Sequence, residues 1–196
     1  AASDLEESIN AVNVVFGEAA DQVLEFGTTA AKTVGLSNAA FNQLAAQTGA
    51  LLKDTGLTMD SVAESTNALS VRAADMASVM NTSVEDALSA VNQALRGETE
   101  AIRRFTGDVT EATLEQFRLS EGIQKAVTDM TEQEKRVLRV GLIMQQTSKF
   151  AGDFANTSDS LANRMRIVKA SMADVSAQLG SILLPFVTKA VQVVSG

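Results

Sequence analysis

Apolar positions fall at intervals of four and three at both ends of the chain. Near the start, Leu5, Ile9, Val12, Phe16, Ala19, Val23, Phe26 and Ala30 follow this spacing. It places them on one face of a helix over 4–34. Near the end, Leu161, Met165, Val168, Met172, Val175, Leu179, Ile182 and Phe186 repeat it. A helix from Asp159 to Ser195 would be roughly 55 Å long at 1.5 Å per residue, with Pro185 kinking or restarting it. Gly17 and Gly27 inside the first pattern each weaken a helix by about 1 kcal/mol relative to Ala.

Between the two runs the pattern is shorter and more often broken. Gly35 fits a helix C-terminus and Ser37 an N-cap for a helix over 38–54, carrying Phe41, Leu44, Ala45, Leu51 and Leu52. Gly56 closes it, and Thr58 or Asp60 opens a third with Val62, Leu69, Ala73, Met76 and Met80. Asn81-Thr82-Ser83 interrupts, and Ser83 caps a fourth with Val84, Leu88, Val91 and Leu95, ending at Gly97. A short helix over 98–106 turns Ile102 and Phe105 inward. Thr110 caps another with Leu114, Phe117 and Leu119, ended near Gly122. Thr131 with Glu134 forms a capping box that opens a helix through 137–144 to about Phe154. The polar stretch 152–166, GDFANTSDSLANRMR, then stops one helix and starts the next, with Ser158 as N-cap and Asp159 in its first turn. No sustained period-two run or Asn-Gly hairpin signal favours strands.

These elements predict an all-α fold: an irregular multi-helix bundle with long N- and C-terminal helices. It reads as a single helical module over 1–196, with a long N-terminal helix (1–35), a compact helical body (36–157) and a long C-terminal helix (158–196). The C-terminal stripe serves either the monomer core or an oligomer seam. Its flanks, Ala162, Lys169, Ser176 and Leu183 on one side and Arg164, Ser171, Gln178 and Pro185 on the other, specify little. The chain starts at Ala1 without Met and breaks off in mid-pattern at Val194. This reads as a piece of a longer protein or, more blandly, as removal of a Met before Ala1.

Composition narrows the chemistry. The 196 residues include one Pro and no Cys, His, Trp or Tyr. Zinc and iron–sulfur sites and His-dependent nucleophiles therefore have no ligands or partners. The phosphate loop, the EF-hand loop and the nucleophile elbow are absent as motifs, so no catalytic, cofactor-binding or metal residue is assigned. The net charge of −8 is uneven. Residues 1–95 hold three basic against twelve acidic side chains, and 96–196 hold thirteen against twelve. The acidic half repels nucleic acid, because binding is driven by phosphate neutralisation.

The remaining candidates have plain readings. The Glu98/Glu100 and Glu132/Glu134 pairs stand at helix starts, where acids suit the dipole. Arg96, Arg103 and Arg104 suit surface pairing with Glu98 and Glu100. Arg164, Arg166 and Lys169 read as solvated helix charges, since no aromatics interleave for base stacking. The sequons at Asn81 and Asn156 coincide with helix starts. Met59, Met76, Met80, Met144, Met165 and Met172 serve as adaptable core filler or as a malleable seam. No secretory signal or stretch able to span a bilayer is visible.

Three stretches resemble the tail tape measure proteins of long-tailed bacteriophages and prophages. They are LEESINAVNVVFGEAADQVLEFGTTAAKTVGLS (5–37), RAADMASVMNTSVEDALSAVNQALRGETEAIRRFTGDVTEATLE (72–115), and GDFANTSDSLANRMR (152–166) followed by LGSILLP (179–185). The resemblance implies a virion component without catalytic residues, placed in the tail lumen or tip and in the host cytoplasm during assembly. Such proteins set tail length and take part in DNA ejection. Their partners are other copies of themselves and the tail tube, tail chaperone and tail-tip proteins, with at most transient DNA contact and no membrane contact indicated here. The many helix breaks point to a folded module rather than a ruler shaft. The alternative is a helical scaffold or interaction module unrelated to tails.

Overall fold

The computed structural model describes residues 2–160 and 162–175, and these form an all-α, irregular multi-helix bundle. The helices are α1 (Ala2–Phe16), α2 (Ala20–Thr33), α3 (Asn38–Leu52), α4 (Met59–Met80), α5 (Val84–Arg96), α6 (Glu111–Ser120), α7 (Glu132–Gln146) and α8 (Asp153–Asn156). A ninth, α9, spans 162–175. Single 3-10 turns occupy Gly17–Ala19, Ala101–Arg104, Val127–Asp129 and Ser148–Phe150.

The starts of most helices are set where the polar residues predict. Ser37, Thr58, Ser83, Thr110 and Thr131 each accept a bond from the amide three residues on. This satisfies one of the amides that a helix start leaves without a partner. Thr131 and Glu134 complete their box, and Thr110 builds another with Thr113. Asn81 and Gly97 close α4 and α5 in the left-handed region.

Two expected helices are broken. The predicted helix over 4–34 is divided at Gly17, whose φ of +55° turns the chain through a 3-10 step before α2. The helix expected to reach Phe154 ends at Gln146. There the Thr147 hydroxyl bonds back to the Ile143 carbonyl, and Arg72 of α4 takes the Thr147 carbonyl. Within α6, Leu119 is 60% exposed and Arg118 is buried instead, bonded to Glu115 and to the Ile123 carbonyl.

The core lies where α3 and α4 meet α1, α2 and α5. Val12, Phe16, Phe41, Leu69, Met76 and Leu88 are fully enclosed there. Each such side chain contributes about 1.5–3 kcal/mol relative to exposure. Helices approach closely at two glycines. A Cβ on Gly49 would strike the Phe16 ring, and one on Gly27 would stand 2.5 Å from Asn42 Oδ1. Gly27 is thus a contact position between α2 and α3, not merely a weak point in a helix.

Candidate functional site

The described residues of 152–166 meet α4 and its C-terminal end through a chain of polar contacts. Asp75 sits in the C-terminal third of α4 and is only 3% exposed. Its carboxylate accepts from the Gly152 amide at 3.0 Å and from the Phe154 amide at 3.1 Å. A side chain on another helix therefore caps the first turn of α8. Gly152 reaches that position at a φ of +81°. Phe154 is buried over Gly35, where an added Cβ would stand 3.1 Å from the ring.

One turn further along α4, the Ser78 and Thr157 hydroxyls lie 2.9 Å apart. The buried Asn163 amide donates to both, at 3.0 and 2.9 Å. Arg166 then reaches the C-terminal end of α4. Its guanidinium donates to the Thr82 carbonyl at 2.7 Å, to the Ala77 carbonyl at 3.5 Å and to Asn163 Oδ1. A cation there complements the partial negative charge of a helix C-terminus. At the far end of α9, Asp174 accepts from the Asn38 amide at 2.7 Å, at the first residue of α3. Burial raises the Asp174 pKa, partly offset by that amide bond.

Asn163, Ile167, Ala170 and Asp174, spaced four, three and four, thus form the inward face of α9. The stripe singled out by its periodicity points the other way. Met165, Val168, Met172 and Val175 are 51% to 66% exposed. These four do not fill the monomer core. Leu161, Leu179, Ile182 and Phe186, together with Pro185, lie outside the described residues.

The cap assigned to Ser158 is corrected. Ser160 Oγ accepts from the Asn163 amide, and the Ser160 carbonyl accepts from the Arg164 amide, so Ser160 starts the helix. Ser158 falls in the preceding turn. Arg166 is likewise an anchor rather than a solvated charge, whereas Arg164 is exposed and pairs with Asp159. Asp75 carried no signal in the sequence beyond being an acid within an apolar stretch. Asn163 and Arg166 share helical spacing with Ala170 and Asp174, a signal masked by the stronger apolar stripe opposite.

Arginine at a helix end recurs elsewhere. Arg136 donates to the Leu51 carbonyl at 2.6 Å and to the Leu95 carbonyl at 3.3 Å, and Arg139 also reaches Leu95. Arg103 pairs with Glu100 and Asp108, and Arg96 with Glu98, as surface ion pairs. Glu134 completes its cap and binds Lys125, and Glu132 pairs with Lys135 and Arg139. Met76 is buried, while Met80 is 43% exposed. An open groove of about 630 Å³ separates α6 and α7 from the 55–57 turn, with Phe117, Ile123 and Met130 among its walls. Among the described residues, no cluster of acids suits a metal ion and no helix is long and apolar enough to cross a membrane.

The junction is a positioning device. It fixes the direction in which α9 runs along the bundle and turns an apolar helix face outward. No family model, curated protein or solved structure matches the chain.

Proposed function

We propose that the chain is a folded helical segment of a phage tail tape measure protein. In this reading it is a structural virion component, which takes part in setting tail length during assembly and in DNA ejection. The observation that supports this most is the placement of the stretch with the most specific resemblance. Residues 152–166 anchor α9 on the body, and Met165, Val168, Met172 and Val175 face outward. A structural protein that assembles with copies of itself and with tail subunits has a use for such a face. The frequent caps and close glycine contacts favour a compact element near an end or the tip of the assembly over a length of ruler shaft.

Two experiments test the reading. Mass spectrometry of purified tails from the source phage should find peptides of this chain; tails complete without it would refute the assignment. Electron microscopy of the isolated chain should show a compact particle. A thin rod of nearly 300 Å, at roughly 1.5 Å per residue, would refute the folded-module part alone. A helical scaffold unrelated to tails would use the same outward face, and the first experiment separates the two.

A further inference from the structure

We infer that α9 is a releasable arm, which undocks from the body as a unit while the bundle up to α8 stays folded. The inference concerns the chain's own fastening and stands apart from the tail assignment.

The two parts of the C-terminal stretch are held differently. Ahead of the arm, α8 is clipped to the body twice: by Asp75 on the Gly152 and Phe154 amides, and by the Phe154 side chain in the core. Undoing that clip would strand a buried carboxylate and open an aromatic-sized hole, both costly. Beyond Thr157 the fastening changes. Among the described residues, the inward face of α9 offers the core only the small Ala170 and the partly buried Ile167. Its other contacts, through Asn163, Arg166 and Asp174, go to hydroxyls or to groups at the ends of α4 and α3. Water can replace a partner at a helix end without any rearrangement of the helix.

Two open pockets also border the arm. A cavity of about 170 Å³ lies between Arg166, Lys169 and Ala170 on one side and Ser37, Ser83 and Val84 on the other. A second, of about 130 Å³, lies where Asp174 meets Leu5, Thr28 and Asn38. Both are open to solvent, so the arm is not sealed onto the body along its length. The arm therefore has a shallow hold, and Met165, Val168 and Val175 on its other face are more than half exposed. Pulling on that face, or on chain beyond it, releases α9 before it disturbs the clip.

The absence of cysteine from the sequence allows a direct test on the full chain. Ala170→Cys places a thiol under the arm, and Ala87→Cys places one in the core on α5. Under native conditions the thiol at 170 should react with a small alkylating reagent at least about tenfold faster than that at 87, because local opening precedes global unfolding. Adding Arg166→Ala should accelerate labelling at 170 and leave labelling at 87 unchanged. Equal rates at the two positions would overturn the arm. Fast labelling at 170 that ignores Arg166→Ala would overturn the anchor assigned to Arg166. Should either cysteine variant fail to fold, amide exchange on the unaltered chain decides. Protection across 164–175 equal to that in α4 would overturn the inference, and much lower protection would sustain it.

Discussion

α5 and α9 both pack on α4, and they are held there by different chemistry. α5 presents Val84, Leu88, Val91 and Leu95 to the interior, all buried, and its charges to solvent. α9 does the reverse: it turns its large apolar side chains out and docks through Asn163, Arg166 and Asp174. Apolar burial is non-directional and scales with area, so α5 is part of what makes the bundle stable. Hydrogen bonds exchanged with water are worth little net but demand one geometry, so α9 is positioned more than it is stabilised. The same scaffold helix thus supports one element for stability and one for orientation.

The largest effect should come from breaking the α5 side. Leu88→Ala removes a fully enclosed side chain and is expected to cost about 2–5 kcal/mol. Thermal or denaturant unfolding should show a single transition at a clearly lower midpoint, lost together across the bundle. Next is the clip ahead of α9. Asp75→Ala leaves the Gly152 and Phe154 amides without their acceptor, at an expected cost of about 1–3 kcal/mol. Asp75→Asn, which retains one acceptor oxygen, should recover part of it. Full stability in Asp75→Ala would show that the clip does not fasten the stretch.

The helices and most of their caps were legible in the sequence, and the direction of the α9 face was not, for a physical reason. The caps at Ser37, Ser83 and Thr131 could be read because a helix start has a local rule: a short polar side chain reaching an amide three residues on. The same rule misplaced one cap by two residues, since Ser158 and Ser160 both satisfy it and only the docking of Asn163 on Ser78 chooses between them. The α9 stripe was legible as a pattern, but periodicity does not say which way a face points. That is decided by Arg166 and Asp174 finding helix ends contributed by residues far away in the chain. Gly27 was misjudged for a related reason. Propensity counts it against the helix, whereas the approach of Asn42 and Asn38 leaves little room for a Cβ.

Gly27→Ala tests that point directly. Helix propensity alone predicts a gain of about 1 kcal/mol. The Cβ, however, would stand 2.5 Å from Asn42 Oδ1 and 2.9 Å from Asn38 Oδ1, so a net loss of about 1–2 kcal/mol is expected from overpacking. A stabilised variant would mean that the Asn42 and Asn38 side chains turn aside at little cost. Arg166→Ala should cost about 1 kcal/mol and should do so locally, raising exchange in α9 while the midpoint set by α5 and its neighbours barely moves. A shift of the main transition by several kcal/mol would erase the distinction between the two elements.

The smallest effect, and the one that divides the molecule most sharply, is that of acid. The Glu115 carboxyl is held below its usual 4.5 by Arg118 and by the Val127 amide, and that of Glu134 by Lys125 and the Thr131 amide. A carboxylate with a lowered pKa in the folded state contributes stability above its unfolded pKa and loses it as pH falls through the folded value. The region around α6 and α7 should therefore loosen as pH drops below about 4.5. Asp174 behaves in the opposite sense. Burial raises its pKa from 3.8, and the Asn38 amide offsets part of that. A raised carboxyl favours docking below its unfolded pKa, and that contribution is lost as pH rises through the folded value. On mild acidification the far end of α9 should then hold slightly tighter while α6 and α7 hold less well. Amide exchange at 111–120 and 168–175, corrected for intrinsic rates, should move in opposite directions between neutral pH and about pH 4. Asp174→Asn should abolish the response at 168–175 and leave that at 111–120 intact. Parallel movement of both segments would show that acid acts on the bundle as a whole and that Asp174 does not set the hold on α9.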